Sequence, residues 1–125
     1  MKLLLTISSA LECAIGIGFL MIPSVVASSL FGGRMETPVG LVVGRALGGA
    51  ILSLGIACWF SRDAQGISAA GLVKGMLFYN LATVALLVYA RLGVGISGTG
   101  LWPVVLLHLG MGIWCGVSLR NDLNK

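Results

Sequence analysis

The sequence predicts an all-α membrane protein: a single bundle of four membrane-spanning helices with almost nothing outside the bilayer. Hydrophobic residues make up 58% of the 125-residue chain and charged residues 10%, whereas a soluble domain has roughly 25% charged residues. The mean hydropathy is +1.04. The hydrophobic residues also gather into four long runs, and a helix that crosses a bilayer needs roughly 20 such residues.

The four runs are separated by the polar clusters of the chain. They predict spans of about 3–30, 39–60, 70–91 and 100–119 within one domain, 1–125. Pro23 interrupts the first run, and residues 24–31 are expected to continue it as a kinked or interfacial turn. The second run opens with Thr37 and Pro38, a capping residue followed by proline at the first helical position. The runs are predicted to be helices because they lack the alternation of barrel strands.

The third and fourth runs meet the same criteria. In the third, Lys74 lies near one end, from which a lysine side chain can reach the interface, and Arg91 closes the other end. In the fourth, Pro103 falls in the first turn, where a helix tolerates proline. Each run is therefore predicted to be one transmembrane helix.

The basic residues predict the orientation, because short cytoplasmic loops carry an excess of lysine and arginine. One side of the predicted bundle collects Lys2, Arg62, Lys74, Arg120 and Lys125, and the other has Arg34 and Arg91. Both termini and the 62–68 loop are therefore predicted to be cytoplasmic, with the 34–36 and 95–99 loops on the opposite side.

Each predicted helix brings one strongly polar residue into the apolar slab: Glu12, Arg45, Asn80 and His108. At about 1.5 Å per residue, three of them lie roughly 12–16 Å from the cytoplasmic edge and Arg45 roughly 22 Å. Small residues share their helix faces, which predicts that they point into the bundle. A buried Glu12–Arg45 ion pair is expected, with Asn80 and His108 hydrogen-bonded beside it. The cluster either holds helices together or lines a pocket for a small amphipathic ligand, a quinone headgroup or a proton.

Glycines at four-residue spacing predict close helix packing, because small residues let backbones approach. The predicted packing positions are Gly40, Gly44, Gly48, Gly49, Gly112 and Gly116. Packing inside the bundle is favoured for the second-helix tract, and an interface with a second copy or a partner subunit is the alternative. Tyr79-Asn80 is interpreted as a packing and anchoring pair.

Several classes of function find no support. A net charge of +4 from dispersed residues argues against a nucleic-acid partner. His108 is the only histidine, and the three cysteines have no metal-ligand spacing, so no metal site is predicted. No residues form a nucleophile–base arrangement, and therefore no catalytic residue is assigned.

The pattern resembles the DoxX-like family of small bacterial four-helix membrane proteins. The residues that carry the resemblance are Leu30-Phe31-Gly32, Gly44-Arg45-Ala46-Leu47-Gly48-Gly49, Tyr79-Asn80, and Trp102-Pro103 with His108. The resemblance implies a four-helix bundle in the bacterial inner membrane. It also implies a link to quinone-dependent sulfur oxidation or to thiol and oxidative-stress chemistry, often beside a partner protein.

Three functional hypotheses follow. The favoured one is a non-enzymatic accessory or interaction subunit that binds membrane lipids and other membrane components, such as a different subunit or a second copy. The first alternative is a membrane redox component that binds a quinone or lipid in its intramembrane polar pocket. The second alternative is a minimal transporter that works as an oligomer.

Overall fold

The computed structural model describes residues 1–64 and 67–123. It contains five α-helices: α1 (Lys2–Met21), α2 (Pro23–Phe31), α3 (Pro38–Ser61), α4 (Ile67–Tyr89) and α5 (Leu101–Leu123). A π-helical turn, Ala90–Val94, extends α4, and these described ranges contain no β-strand. Within the same ranges, four helical segments are long and apolar enough to cross a membrane. The predicted all-α bundle is thus confirmed, and the chain is a multi-pass membrane protein.

The break between α1 and α2 follows from Pro23, which has no amide hydrogen to donate to the preceding turn. Proline is well suited to the first position of a new helix, and α2 begins there. At the far end of α2, Gly32 has a left-handed backbone with φ of 75°, a conformation that glycine adopts without strain. The Thr37 side chain caps α3, because its hydroxyl oxygen accepts a hydrogen bond from the amide of Gly40 over 3.0 Å.

The loop before α5 binds the end of α2. The amide of Gly98 donates to the carbonyl of Leu30 over 2.8 Å, and the amide of Gly100 donates to that of Ser29 over 2.9 Å. These bonds satisfy carbonyls that the last turn of a helix leaves without partners. A Cβ atom at Gly98 would collide with the Ser29 carbonyl, so glycine allows the loop to lie this close.

The core is divided between the two ends of the bundle. One apolar cluster joins four helices and contains Leu4, Leu5, Cys58, Val73, Met76, Met111 and Cys115. The other contains Leu87, Leu101 and Val105, with Phe31 packed against it. The start of α1, the end of α3 and the start of α4 therefore meet at one end, where Lys2 pairs with Asp63 over 2.7 Å.

The long helices α1, α3, α4 and α5 therefore alternate in direction along the bundle. The cytoplasmic position of both termini, which rests on the distribution of basic residues, stays a prediction. Parts of two predicted cytoplasmic segments lie outside the described residues: positions 65–66 of the 62–68 loop, and Lys125 at the C-terminus.

Among the described residues, the most extensive contact between two helices is the seam between α1 and α3, and it depends on glycine. A Cβ atom at Gly48 would lie 2.7 Å from the backbone nitrogen of Leu20 and 2.8 Å from the carbonyl oxygen of Gly16. A Cβ at Gly16 would lie 2.6 Å from the backbone nitrogen of Leu52. No side chain fits at either position, so the two helix backbones touch directly.

The other predicted packing glycines divide into two groups. A Cβ at Gly44 would approach the Cβ atom of Pro23 to 2.9 Å. A Cβ at Gly40 would lie 2.9 Å from the hydroxyl oxygen of the capping Thr37 and in ordinary contact with Met35. A Cβ at Gly112 would make an ordinary contact of 3.6 Å with Asn80. Gly49 and Gly116 have nothing within 4 Å of a Cβ position among the described residues.

The packing prediction was therefore wrong for Gly49 and Gly116 within this chain. The sequence interpretation missed Gly55, which belongs to the seam, because a Cβ there would lie 2.8 Å from the sulfur of Cys13. Gly55 lies seven residues after Gly48, two helical turns further along the same face of α3. That spacing was the available signal.

Candidate functional site

The site begins with Glu12, a carboxylate in the middle of α1. Its side chain is only 5% exposed, although a charge inside a membrane is costly unless it has partners. The hydroxyl of Tyr79 on α4 donates to Glu12 Oε2 over 3.0 Å. One carboxylate oxygen is thereby satisfied across the helix interface.

The next residue of α4, Asn80, makes the second interhelical contact. It is 1% exposed, and its Nδ2 donates to the carbonyl of Met76 over 2.7 Å. Its Oδ1 lies 2.8 Å from Nδ1 of His108 on α5. An amide oxygen can only accept, so Nδ1 of His108 carries the proton and donates. In the neutral imidazole, Nε2 is then left as an acceptor.

The two contacts are linked because they are made by neighbouring residues of α4. Tyr79 and Asn80 are adjacent, so one turns toward α1 while the other turns toward α5. The Tyr79 and His108 rings also pack edge to face, with centroids 5.5 Å apart and planes at 78°, a favourable aromatic geometry. Three helices are therefore joined through two successive residues of α4.

A cleft of about 260 Å³ lies over this network, between α1 and α5. Most of its lining is apolar, with three polar side chains among the lining residues: Leu11, Glu12, Ala14, Ile15, Asn80, Val104, Leu107, His108 and Met111. Ile15 is 37% exposed and Leu107 is 43% exposed, so the cleft opens sideways between the two helices. In a membrane this opening faces lipid.

Arg45 does not belong to this site, and the predicted Glu12–Arg45 ion pair was wrong. The Arg45 side chain is exposed, and its Nε donates to the carbonyl of Leu20 over 3.2 Å. That carbonyl lies in the last turn of α1, where helix carbonyls lack partners within the helix. Because Gly44 faces the interior, the next residue is rotated by about 100° and falls outside the seam.

The ion pairs among the described residues all lie in the loops and helix ends. They join Lys2 to Asp63, Arg34 to Glu36 and Arg62 to Asp63. Within residues 1–64 and 67–123, Glu12 therefore has no basic partner, and its hydrogen bond comes from a neutral hydroxyl.

Sequence reasoning placed four residues in one membrane band, Glu12, Arg45, Asn80 and His108, but missed the role of Tyr79. Its hydroxyl reaches the carboxylate that the prediction assigned to arginine. A signal for this was present, because a tyrosine in the middle of an apolar span needs a hydrogen-bond partner for its hydroxyl.

Comparison with known proteins adds nothing to this geometry. No protein-family model matches the chain, and neither a curated protein nor a solved structure matches it. The class that the fold defines is a small multi-pass helical membrane protein. The resemblance to the DoxX-like family stays a prediction.

Proposed function

We propose that this protein is a membrane-embedded binding component, and that a lipid-soluble molecule with a small polar head occupies the cleft between α1 and α5. The observation that carries the proposal is the buried carboxylate of Glu12, which lines an otherwise mainly apolar cleft. Binding sites for small molecules combine an apolar wall with a few placed polar groups, and this cleft has both.

The size and position of the cleft support a ligand that is only partly enclosed. A volume of about 260 Å³ is slightly below the roughly 300–1,000 Å³ of pockets that enclose drug-sized ligands. It accommodates a head group and the beginning of an apolar tail. The remainder of the tail would extend past Ile15 and Leu107 into the lipid.

The role of the protein would be accessory. The described residues outside the helices form only short loops, so a reaction of the bound molecule would draw on groups of another chain or membrane component. In this proposal the protein holds or presents the molecule in the bacterial inner membrane. The alternatives are a membrane redox component that binds a quinone or lipid in this cleft, and a minimal transporter that works as an oligomer.

The proposal is tested by purification from native membrane, with the co-purifying small molecules and proteins identified by mass spectrometry. Ala14→Leu places bulk in the cleft from a position at its exposed rim. Ala46→Leu is the matched control, because Ala46 is exposed on α3 and does not line the cleft. We expect a molecule that is retained by the wild type and by Ala46→Leu and lost from Ala14→Leu. Equal retention by both variants would contradict the proposal.

A further inference from the structure

The chemistry of the head group follows from which hydrogen-bonding groups of the site are already used. The Tyr79 hydroxyl donates to Glu12, the Nδ1 proton of His108 goes to Asn80, and an Asn80 amide proton goes to Met76. Among the described residues, no protein group donates to Oε1 of Glu12 or to Nε2 of His108. When Glu12 is ionised, the two polar atoms of the lining side chains that have no hydrogen-bond partner at all are therefore acceptors.

The charge of the site points the same way. Glu12 is nineteen-twentieths buried, and among the described residues no basic side chain pairs with it. Arg45, the arginine of the same membrane band, is turned outward to the carbonyl of Leu20. A buried carboxylate without a cation is costly in an apolar medium and otherwise takes up a proton. A ligand that carries positive charge offsets this cost and keeps Glu12 ionised.

We infer that the cleft binds a lipid-soluble ammonium, that is, a protonated primary or secondary amine on an apolar chain. Its N–H groups donate to Oε1 of Glu12 and Nε2 of His108, and its chain lies along the apolar wall formed in part by Leu11 and Val104. This inference rests on the proposed function and specifies its ligand class. A ligand whose head carries only carbonyl oxygens has no hydrogen to donate to Oε1 of Glu12 or Nε2 of His108. We therefore expect such a ligand to bind more weakly.

The experiment compares four probes of similar apolar character in lipid nanodiscs: dodecylammonium, dodecanol, dodecyltrimethylammonium and a lipid-soluble quinone. The alcohol has a donor without charge, the quaternary ammonium has charge without a donor, and the quinone has only acceptors. His108 is the only histidine in the chain, so ¹⁵N NMR of labelled histidine reads the site directly. A probe that binds the site changes the ¹⁵N resonance of Nε2 until the site is saturated. Partition of the probe into the surrounding lipid does not produce such a saturable change.

We expect dodecylammonium to bind about tenfold more tightly than dodecanol, because hydrogen bonds to charged groups are stronger than neutral ones. Glu12→Gln keeps the shape and the Tyr79 contact but removes the charge, and should abolish this preference. Glu36→Gln, at an exposed loop acid, is the matched control and should preserve it. Melting temperatures establish that both variants are folded.

Three outcomes would overturn the inference while leaving the proposed function intact. They are equal affinity for the alcohol and the primary ammonium, equal affinity for the quaternary and the primary ammonium, and tightest binding of the quinone. In each case Ala14→Leu should still weaken binding. If no probe gives a saturable change and Ala14→Leu has no effect, the cleft is not a binding site and both proposals fail. Ala14→Leu also keeps the test decisive if Glu12→Gln does not fold.

Discussion

The two sides of α1 meet their neighbours in opposite ways. Toward α3 the helix presents Gly16 to a glycine face, and the two backbones come into direct contact. Toward α5 it presents Glu12 beside Ile15, and the two helices stand apart around a cleft. In a membrane, helices associate through close packing of small residues and through hydrogen bonds. On one face, α1 associates through close packing of small residues. On its other face, α1 makes a hydrogen bond to α4 beside the open cleft.

The difference separates stability from binding within a single helix. The seam leaves no room for a side chain, so it can hold α1 in place but cannot admit a ligand. The cleft has polar groups in its wall, which adds little packing but allows recognition. We expect substitutions in the seam to affect mainly folding, and substitutions in the cleft to affect mainly binding.

The largest expected effect is in the seam. Gly48→Ala places a Cβ against the backbone atoms of Leu20 and Gly16, and backbone cannot move aside as a flexible side chain can. We expect a loss of about 3 kcal/mol in the free energy of unfolding, the upper end of the usual cost of overpacking. Gly49→Ala is the matched neighbour, with open space around its Cβ.

We expect Gly49→Ala to be neutral or to gain up to about 1 kcal/mol through better helix propensity. Unfolding both variants in mixed micelles with increasing denaturing detergent measures the difference. Similar losses for the two neighbours would show that the seam is not packed as described.

The next largest effect on the free energy of unfolding is expected at the hydrogen bond between α4 and α1. A double-mutant cycle of Glu12→Leu and Tyr79→Phe, in which each substitution removes the bond, should give a coupling free energy between about 0.6 and 1.7 kcal/mol, the average and the maximum measured for hydrogen bonds between membrane helices. Tyr89→Phe serves as the control, because the Tyr89 side chain is exposed near the far end of α4. Coupling between Glu12 and Tyr89 as large as that with Tyr79 would contradict the assigned bond.

A smaller effect is expected from the ion pair at the end of the seam. The Lys2 ammonium donates a hydrogen bond to Asp63 and lowers the pKa of that carboxyl. A lowered pKa in the folded state stabilises the protein above the ordinary pKa of the carboxyl, and this contribution disappears as the pH falls through the folded-state value. Both side chains are mainly exposed, so the effect should be slight.

Asp63→Asn should therefore lower the melting temperature only slightly at neutral pH and low salt. The difference from the wild type should vanish in roughly 1 M salt, where the screening length is about 3 Å. It should vanish as well at a pH below the folded-state pKa of Asp63. A large, salt-independent loss would mean that the loop, and not the glycine seam, holds α1 to α3.

The smallest expected effect concerns the two charged residues of the membrane band. The cycle of Glu12→Gln and Arg45→Gln should give a coupling within about 0.5 kcal/mol of zero, as is usual for residues without shared partners. Each side chain has a separate hydrogen bond, Glu12 with Tyr79 and Arg45 with Leu20. A coupling of several kcal/mol would restore the ion pair that the sequence suggested.

The sequence by itself determined the helical spans and the positions of the polar residues along them. Hydropathy sets the spans, because a bilayer admits only long apolar helices of this kind. Pro23 marks the break between α1 and α2 because of its missing amide hydrogen. Glu12, Asn80 and His108 could be placed in one band because depth depends only on counting residues along a helix.

The tertiary structure decided which side chains meet within that band. One residue turns a helix by about 100°, so neighbours in sequence have different surroundings. Gly48 is in the seam while Gly49 faces open space, and Gly44 faces the interior while Arg45 is outside. Rotation of each helix about its axis is set by contacts with the others. For this reason Tyr79, and not Arg45, is the partner of Glu12.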